Sequence, residues 1–396
     1  MTDLAATRAM FHLPDGVIYL DGNSLGPLAR GVPDRVAAML RDEWGEMLIG
    51  GWNRAGWMTA PRRIGDRIAR LIGAEPEHVV MGDTLSIKVY QALAAALAMR
   101  PDRRVILSDH GNFPSDLYMA GGLARLTRRH ELRVVAPEEV AAAIGPDIAV
   151  TMLTDVDYRT GRRHDMAALT RAAHEAGALT VWDLAHSAGA LPVDVAGAGA
   201  DFAVGCTYKY LNGGPGAPAF IYVAPRHAEA AEPALAGWLG HEAPFAFDRD
   251  YRPGRGIERM RVGTPPMIQL AALDAALDAW DEVDMDDVRT ASLTLQAAFI
   301  EGVEARCPGL ALASPRDPAR RGSQVSFRHP EGYAIVQALI ARGVIGDFRA
   351  PDILRFGFTP LYLSIDEVRR AVDILAEVVR DRAWDREEYR RRAAVT

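Results

Sequence analysis

Through the middle of the chain, short apolar runs alternate with longer stretches whose apolar positions recur every three or four residues. The runs 105–108, 132–135, 148–154, 179–183 and 219–223 read as short buried strands. Residues 86–99 and 165–176 read as helices, the second ended by Gly177 as its C-terminal cap. Strands and helices in alternation predict an α/β fold with a mainly parallel sheet between helical layers. Thr264-Pro265-Pro266 then breaks the pattern. Beyond it, helical periodicity at 268–281, 287–305 and 333–342 and strands at 310–313 and 324–328 predict a smaller α+β unit. Its last helix starts at Ser364, where Glu367 completes a capping box. The charged tail from Arg380 reads as solvated. The expected organisation is an N-terminal segment, 1–50, packing with the small unit, a large domain over 51–262 and a small C-terminal domain over 263–396.

Composition narrows the class. The 396 residues are 49% hydrophobic and 24% charged, the balance of an ordinary soluble enzyme. Acidic residues outnumber basic ones by 52 to 45, which argues against a nucleic-acid partner. No apolar run reaches bilayer length, and the first twelve residues lack a basic segment followed by an apolar one, so neither a membrane span nor a signal peptide is expected. Two cysteines, Cys206 and Cys307, suit a reducing cytoplasm. Only Lys88 and Lys209 among the basic side chains are lysines; the rest are arginines, which keep their protons. An amine nucleophile, if the chemistry needs one, has two candidates.

Several motifs lead nowhere. Gly22-Asn23-Ser24-Leu25-Gly26 has the form of a nucleophile elbow, but only a short strand precedes it and Pro27 and Pro33 follow, so it reads as a structural turn. Gly254-Arg255-Gly256 lacks the third glycine of a dinucleotide loop. His174-Glu175 and His241-Glu242 lack the second histidine of a zinc helix, and no metal site is expected.

One constellation is more informative. Strand 179–183 ends in Asp183-Leu184-Ala185-His186-Ser187, at the carboxyl edge where open α/β sheets place ligands. A buried carboxylate there needs a positive partner. After the next strand comes Tyr208-Lys209-Tyr210, then the flexible Gly213-Gly214-Pro215-Gly216. Taken singly, Asp183 reads as a turn carboxylate and Lys209 as a surface lysine. Together, in a chain so poor in lysine, they point to pyridoxal phosphate (PLP), whose aldehyde a lysine binds and whose ring nitrogen an aspartate keeps protonated. Gly82-Asp83-Thr84-Leu85-Ser86, opening a helix, offers N–H groups and hydroxyls for a phosphate; plain helix capping explains the same residues. Lys88, inside that helix, is expected to face solvent, and Lys88→Arg to do little.

These segments, with Tyr19–Gly26, Gly51-Trp52-Asn53, Asn112-Phe113-Pro114-Ser115-Asp116, 155–161, Tyr208-Lys209-Tyr210-Leu211-Asn212, Gly237-Trp238-Leu239-Gly240-His241 and 261–266, resemble the kynureninases, PLP enzymes of the fold-type I aminotransferase superfamily. The resemblance runs along nearly the whole chain. It implies that Lys209 holds the cofactor covalently, Asp183 pairs with its ring nitrogen and Phe113 stacks on the ring. Thr84, Leu85, Ser86, Asp116, Thr154, His186 and Tyr208 would surround ring and phosphate. Trp238 and Thr264 would reach the cofactor side from a partner subunit of a homodimer. Arg355 would clamp the substrate α-carboxylate with its bidentate fork.

The implied reaction is hydrolysis of L-kynurenine to anthranilate and L-alanine, with Lys209 and Asp183 catalytic and Tyr208 a candidate acid, or alternatively only a phosphate ligand. Trp52 and Thr264 stand where animal-type members carry histidine and asparagine, which implies a preference for unhydroxylated kynurenine. A cysteine desulfurase or selenocysteine lyase shares the fold and the lysine but needs a mobile cysteine, whereas Cys307 lies between a helix and a strand and Cys206 just before Lys209. A non-catalytic PLP-fold binding protein is the remaining alternative.

Overall fold

Every residue of the strands Val105–Asp109, Ile148–Thr154, Leu179–Asp183, Phe202–Gly205 and Phe220–Val223 is buried. Continuous burial, instead of burial of alternate residues, requires cover on both faces of the sheet. A computed structural model of the chain, describing residues 2–392, supplies that cover. The strands are β1 (Val79–Met81), β2 (Val105–Asp109), β3 (Glu131–Val135), β4 (Ile148–Thr154), β5 (Leu179–Asp183), β6 (Phe202–Gly205) and β7 (Phe220–Val223), in the spatial order β1-β7-β6-β5-β4-β2-β3. Pairs from β6 to β3 are parallel, while β7 runs antiparallel to both β6 and β1. Side chains of β7 divide by parity: Phe220 and Tyr222 join one apolar cluster, Ile221 and Val223 the other. That is the two-residue period of a strand with a core on each side. Strand β1 has only three residues, and sequence periodicity gives no sign of it.

The helices that matter for the site are α1 (Ala60–Leu71), α2 (Leu85–Ala98), α3 (Pro114–Thr127) and α4 (Met166–Glu175). The last ends as expected: Gly177 adopts φ +78, its N–H donates to His174 O, and Ala178 N–H donates to Ala173 O. A second sheet, β8 (Ala311–Leu312), β9 (Gln324–Arg328), β10 (Asp347–Arg349) and β11 (Ile353–Gly357), is antiparallel in the order β8-β9-β11-β10. It packs with α6 (Met285–Arg306), which follows α5 (Met267–Ala276), and with α7 (Gly332–Ile340) and α8 (Ile365–Arg380). Ser364 and Glu367 form the expected capping box.

Residues near the N-terminus join elements far along the chain. Ile18–Tyr19 pairs in parallel with Val344–Ile345, and Gly357 N–H donates to Leu20 O. Gly22-Asn23-Ser24-Leu25-Gly26 is a turn, as expected, and both glycines are there for close approach. A Cβ on Gly22 would overlap the Tyr362 hydroxyl, and one on Gly26 would overlap the carbonyl of Lys209.

Two expectations fail. Beyond Arg380 the tail is not simply solvated: Trp384 is buried, with its ring against His329 and the Arg382 and Arg390 cations nearby. Residues 393–396 lie outside the described part. Lys88 does not face solvent but is fully buried. The cause is that the distant segment Gly256–Met260 packs against α2, and Met260 O accepts hydrogen bonds from both Lys88 and Gln91.

Candidate active site

The carboxyl ends of β4, β5 and β6 converge. Thr154 stands opposite Asp183 in the β4–β5 register, and Leu184 N–H donates to Val204 O. Leaving β6, the chain turns through 206–213, held by Asn212 N–H to Lys209 O, Gly213 N–H to Thr207 O and Thr207 Oγ1 to Pro218 O. Asn212 takes φ +60, a left-handed conformation that asparagine tolerates. The Lys209 ammonium is thereby set 3.0 Å from His186 Nε2 and 5.8 Å from the ring centres of both Phe113 and Tyr208.

Around this lysine lies a cluster of buried polar side chains, Asp116, Asp183 and His186. Asp183 Oδ1 accepts from Ala185 N–H at 2.8 Å. Burial raises the Asp183 carboxyl above the usual range, opposed by the Lys209 charge. Asp116, in the first turn of α3, is raised further, first by burial and then by the negative charge of Asp183. Neither Asp116 oxygen has a donor, and His186 Nδ1 is likewise buried without a partner. Burial and the cations Lys209, Arg355 and Arg349 depress the His186 imidazole well below its ordinary value, so it is neutral and accepts from Lys209. Tyr208 is pushed up by burial and by its neighbours Cys206, Asp183 and Asp116, and keeps its proton.

Phe113 precedes α3 and is only partly covered, its ring edge-to-face with Tyr158 at 5.1 Å. Asn112 fixes this corner through Nδ2 to Ser108 Oγ and Met152 O. Thr84 is the N-cap of α2 in extended conformation, but its side chain makes no capping bond. Thus Thr84, Leu85 and Ser86 open a fourteen-residue helix whose first N–H groups lack a side-chain acceptor.

Arg355, on β11, is 1% exposed. Its Nε donates to Asp347 Oδ1 and its Nη2 to Asp347 Oδ2, while Nη2 also reaches Ser24 Oγ and Nη1 reaches Tyr158 O. The bidentate fork expected for a substrate is therefore turned on Asp347, and four of the five N–H donors are engaged. Sequence reasoning missed Asp347, Ser24 and the adjacent Arg349, which shares both partners. The one available signal was the serine of the elbow-like turn.

Trp52, Trp238 and Thr264 belong to a different region. Trp52 meets Trp57 and Trp238; Trp238 meets Phe245, and Phe245 meets Phe247. Trp238, Phe245 and Phe247 are exposed, as is Thr264. No ring contact, hydrogen bond or ion pair joins this aromatic string to the Lys209 cluster among the described residues. Both cysteines are buried and their thiols are pushed up by burial, so neither offers a ready thiolate. Among the described residues, no group of three or more His, Cys, Asp or Glu is placed to hold a metal ion, and no helix is long and apolar enough to cross a membrane.

Comparison with known proteins agrees with this arrangement. The kynureninase C-terminal domain family matches residues 288–375. Kynureninase from Burkholderia mallei is 52% identical over 401 aligned positions, covering 99% of this chain and 96% of the relative. Among solved structures, a cysteine desulfurase from Thermococcus onnurineus superimposes with TM-score 0.80 at 20% identity, covering 96% of this chain and 99% of that one. A C-DES variant with glycine covalently linked to its PLP cofactor gives TM-score 0.79 at 18% identity, covering 93% and 99%. At such identities the solved structures establish the fold, an α/β architecture of the fold-type I PLP enzymes. Identity at the level of the Burkholderia protein, along the full length, goes further: the chain belongs to the kynureninase family.

Proposed function

We propose that this chain hydrolyses L-kynurenine to anthranilate and L-alanine with PLP as cofactor, as a cytoplasmic homodimer whose sites lie at the subunit interface. The observation that carries the reading is the Lys209–His186–Asp183–Asp116 cluster, set in a chain 52% identical to a kynureninase. The residues fit the cofactor. Asp183 offers a buried carboxylate for a ring N–H, Lys209 an amine, Phe113 a half-exposed face and the 84–86 turn uncapped N–H groups for a phosphate. The Asp116 carboxyl and the Nδ1–H of neutral His186, both buried, suit a polar ligand of this kind.

When bound, PLP would supply an electron sink for charge first at the substrate Cα and then at Cβ, which lets the Cβ–Cγ bond break once water has added to the γ-carbonyl. The chain supplies the rest. Neutral His186 orients the Lys209 amine, which takes the Cα proton. A positive N–H against Asp183 would hold that carboxylate ionised, reversing the effect of burial. Arg355, pinned by Asp347, presents its remaining Nη1 proton, and the bonds to Tyr158 O and Ser24 exchange to admit the α-carboxylate. Tyr208, kept protonated, returns a proton after the aryl fragment departs. Trp238 and Thr264 contribute across the interface, and the identities of Trp52 and Thr264 favour unhydroxylated kynurenine.

Tyr208→Phe tests the acid role: kcat falls about 100-fold with cofactor affinity little changed, whereas an unchanged rate removes Tyr208 from proton transfer. Comparing substrates tests the rest. Turnover of kynurenine exceeds that of 3-hydroxykynurenine, and L-cysteine releases no sulfide; the opposite results favour animal-type specificity or a desulfurase.

A further inference from the structure

The other lysine has a task of its own. Lys88 is fully buried, yet it carries an ammonium with three partners: Gln91 Oε1 at 2.9 Å, Met260 O at 3.2 Å and Asp83 Oδ2 at 3.4 Å. Asp83 immediately precedes the Thr84 N-cap and sits at φ +57, a conformation that costs an ordinary side chain free energy unless something holds it. Gly82 before it is also at positive φ, and the pair is pinned from the other side by Gly82 N–H to Ala219 O and Ala219 N–H to Asp83 O. Met260 O lies just ahead of the 261–264 stretch. That stretch in turn carries the aromatic string, because Leu239 N–H donates to Val262 O and Gly237 has no room for a Cβ against the same carbonyl. One cation thus ties the turn that opens α2 to the segment presenting Trp238 and Thr264. A surface lysine would do neither, and burying an ammonium is costly enough to need a reason. Burial pulls the Lys88 ammonium down to about 8, opposed by Asp83.

We propose that Lys88 is a positioning residue for cofactor phosphate: it holds the Gly82-Asp83 turn so that the N–H groups of the 84–86 turn converge on the anion, and it couples that turn to the 260–264 segment. The inference rests on the reading that residues 84–86 take the phosphate.

The test compares PLP with pyridoxal, which lacks the phosphate, by absorbance titration of the full-length enzyme after removal of cofactor. Lys88→Met is expected to weaken PLP about tenfold or more and to leave pyridoxal affinity within about twofold, since the Lys209 pocket is untouched. Asp83→Asn, which keeps a residue tolerant of positive φ on the partly exposed side of the pair, shifts the PLP-to-pyridoxal ratio in the same direction by about threefold. It also serves as the test should Lys88→Met not fold. Equal weakening of both ligands, or of neither, by the folded variants overturns the proposal and leaves Lys88 a general packing element. Ser86→Pro, which deletes one N–H group of the 84–86 turn in the first turn of the helix where proline is tolerated, separates the two levels. If it leaves the PLP-to-pyridoxal ratio unchanged, the phosphate reading itself fails; if it lowers the ratio while the Lys88 and Asp83 variants do not, only the role of Lys88 fails.

Discussion

Two lysines stand among 45 basic residues, and the structure gives them opposite settings. Lys209 faces a neutral imidazole and two aromatic rings in the turn that leaves β6, while Lys88 is sealed in a three-partner ion and hydrogen-bond cage. The first was legible in the sequence because a lysine between tyrosines follows a strand-end aspartate. The second was not. The burial of Lys88 depends on Met260, 172 residues away, and helical periodicity carries no information about which distant segment packs on α2. Arginine at position 88 therefore has a cost that the sequence did not suggest: its longer, forked head must fit a site closed to solvent. Arg355 teaches a related lesson. Its motif singled it out, but the partners that spend its fork, Asp347 and Ser24, come from a neighbouring strand and from a turn 331 residues away. Arg355→Lys loses the planar bidentate pairing, and kcat/KM for kynurenine falls about 100-fold, mainly through KM. An unchanged KM would show that the carboxylate binds elsewhere.

Among the elements, the long buried strands were readable because unbroken apolar runs flanked by glycine and polar residues have few alternatives. Shorter pieces such as β1 and the strand β10 were not, because two or three residues do not establish a period. What locks neighbouring elements together is also invisible to periodicity. Asp201, just before β6, is 1% exposed and accepts from Thr180 N–H on β5, from His174 on α4 and from Arg226 and His227 beyond β7. These donors hold its carboxyl far below the usual range despite burial. A carboxyl depressed in the folded state adds stability that is complete above its unfolded value, about 3.9, and is lost as pH falls toward the folded value. Asp201→Asn is therefore expected to cost about 2 kcal/mol at pH 7, allowing for partly exposed partners. The gap to the parent should shrink as pH drops below about 4. Urea titrations at both pH values check this, and a gap independent of pH contradicts the assignment.

At the scale of the whole molecule, the chain leaves a continuous string of exposed aromatics, Trp238, Phe245 and Phe247, next to Trp52 and apart from the lysine cluster. Rings this exposed are at home in an interface. In the proposed homodimer they would lie against a second copy, where Trp238 would complete the partner's site. Mixing equal amounts of inactive Lys209→Ala and inactive Trp238→Ala subunits then restores about a quarter of parental activity, since about half of the randomly exchanged dimers are mixed and each mixed dimer holds one intact composite site of its two. No recovery after verified subunit exchange would place Trp238 and Lys209 in the same site of one chain. The central claim, however, is chemical. Full-length enzyme loaded with PLP is given L-kynurenine, and anthranilate fluorescence is followed beside the Lys209→Arg variant. The account predicts steady anthranilate release with equimolar L-alanine from the parent and none from the variant; a folded, cofactor-loaded parent that releases no anthranilate, or an arginine variant that still turns over, would contradict it.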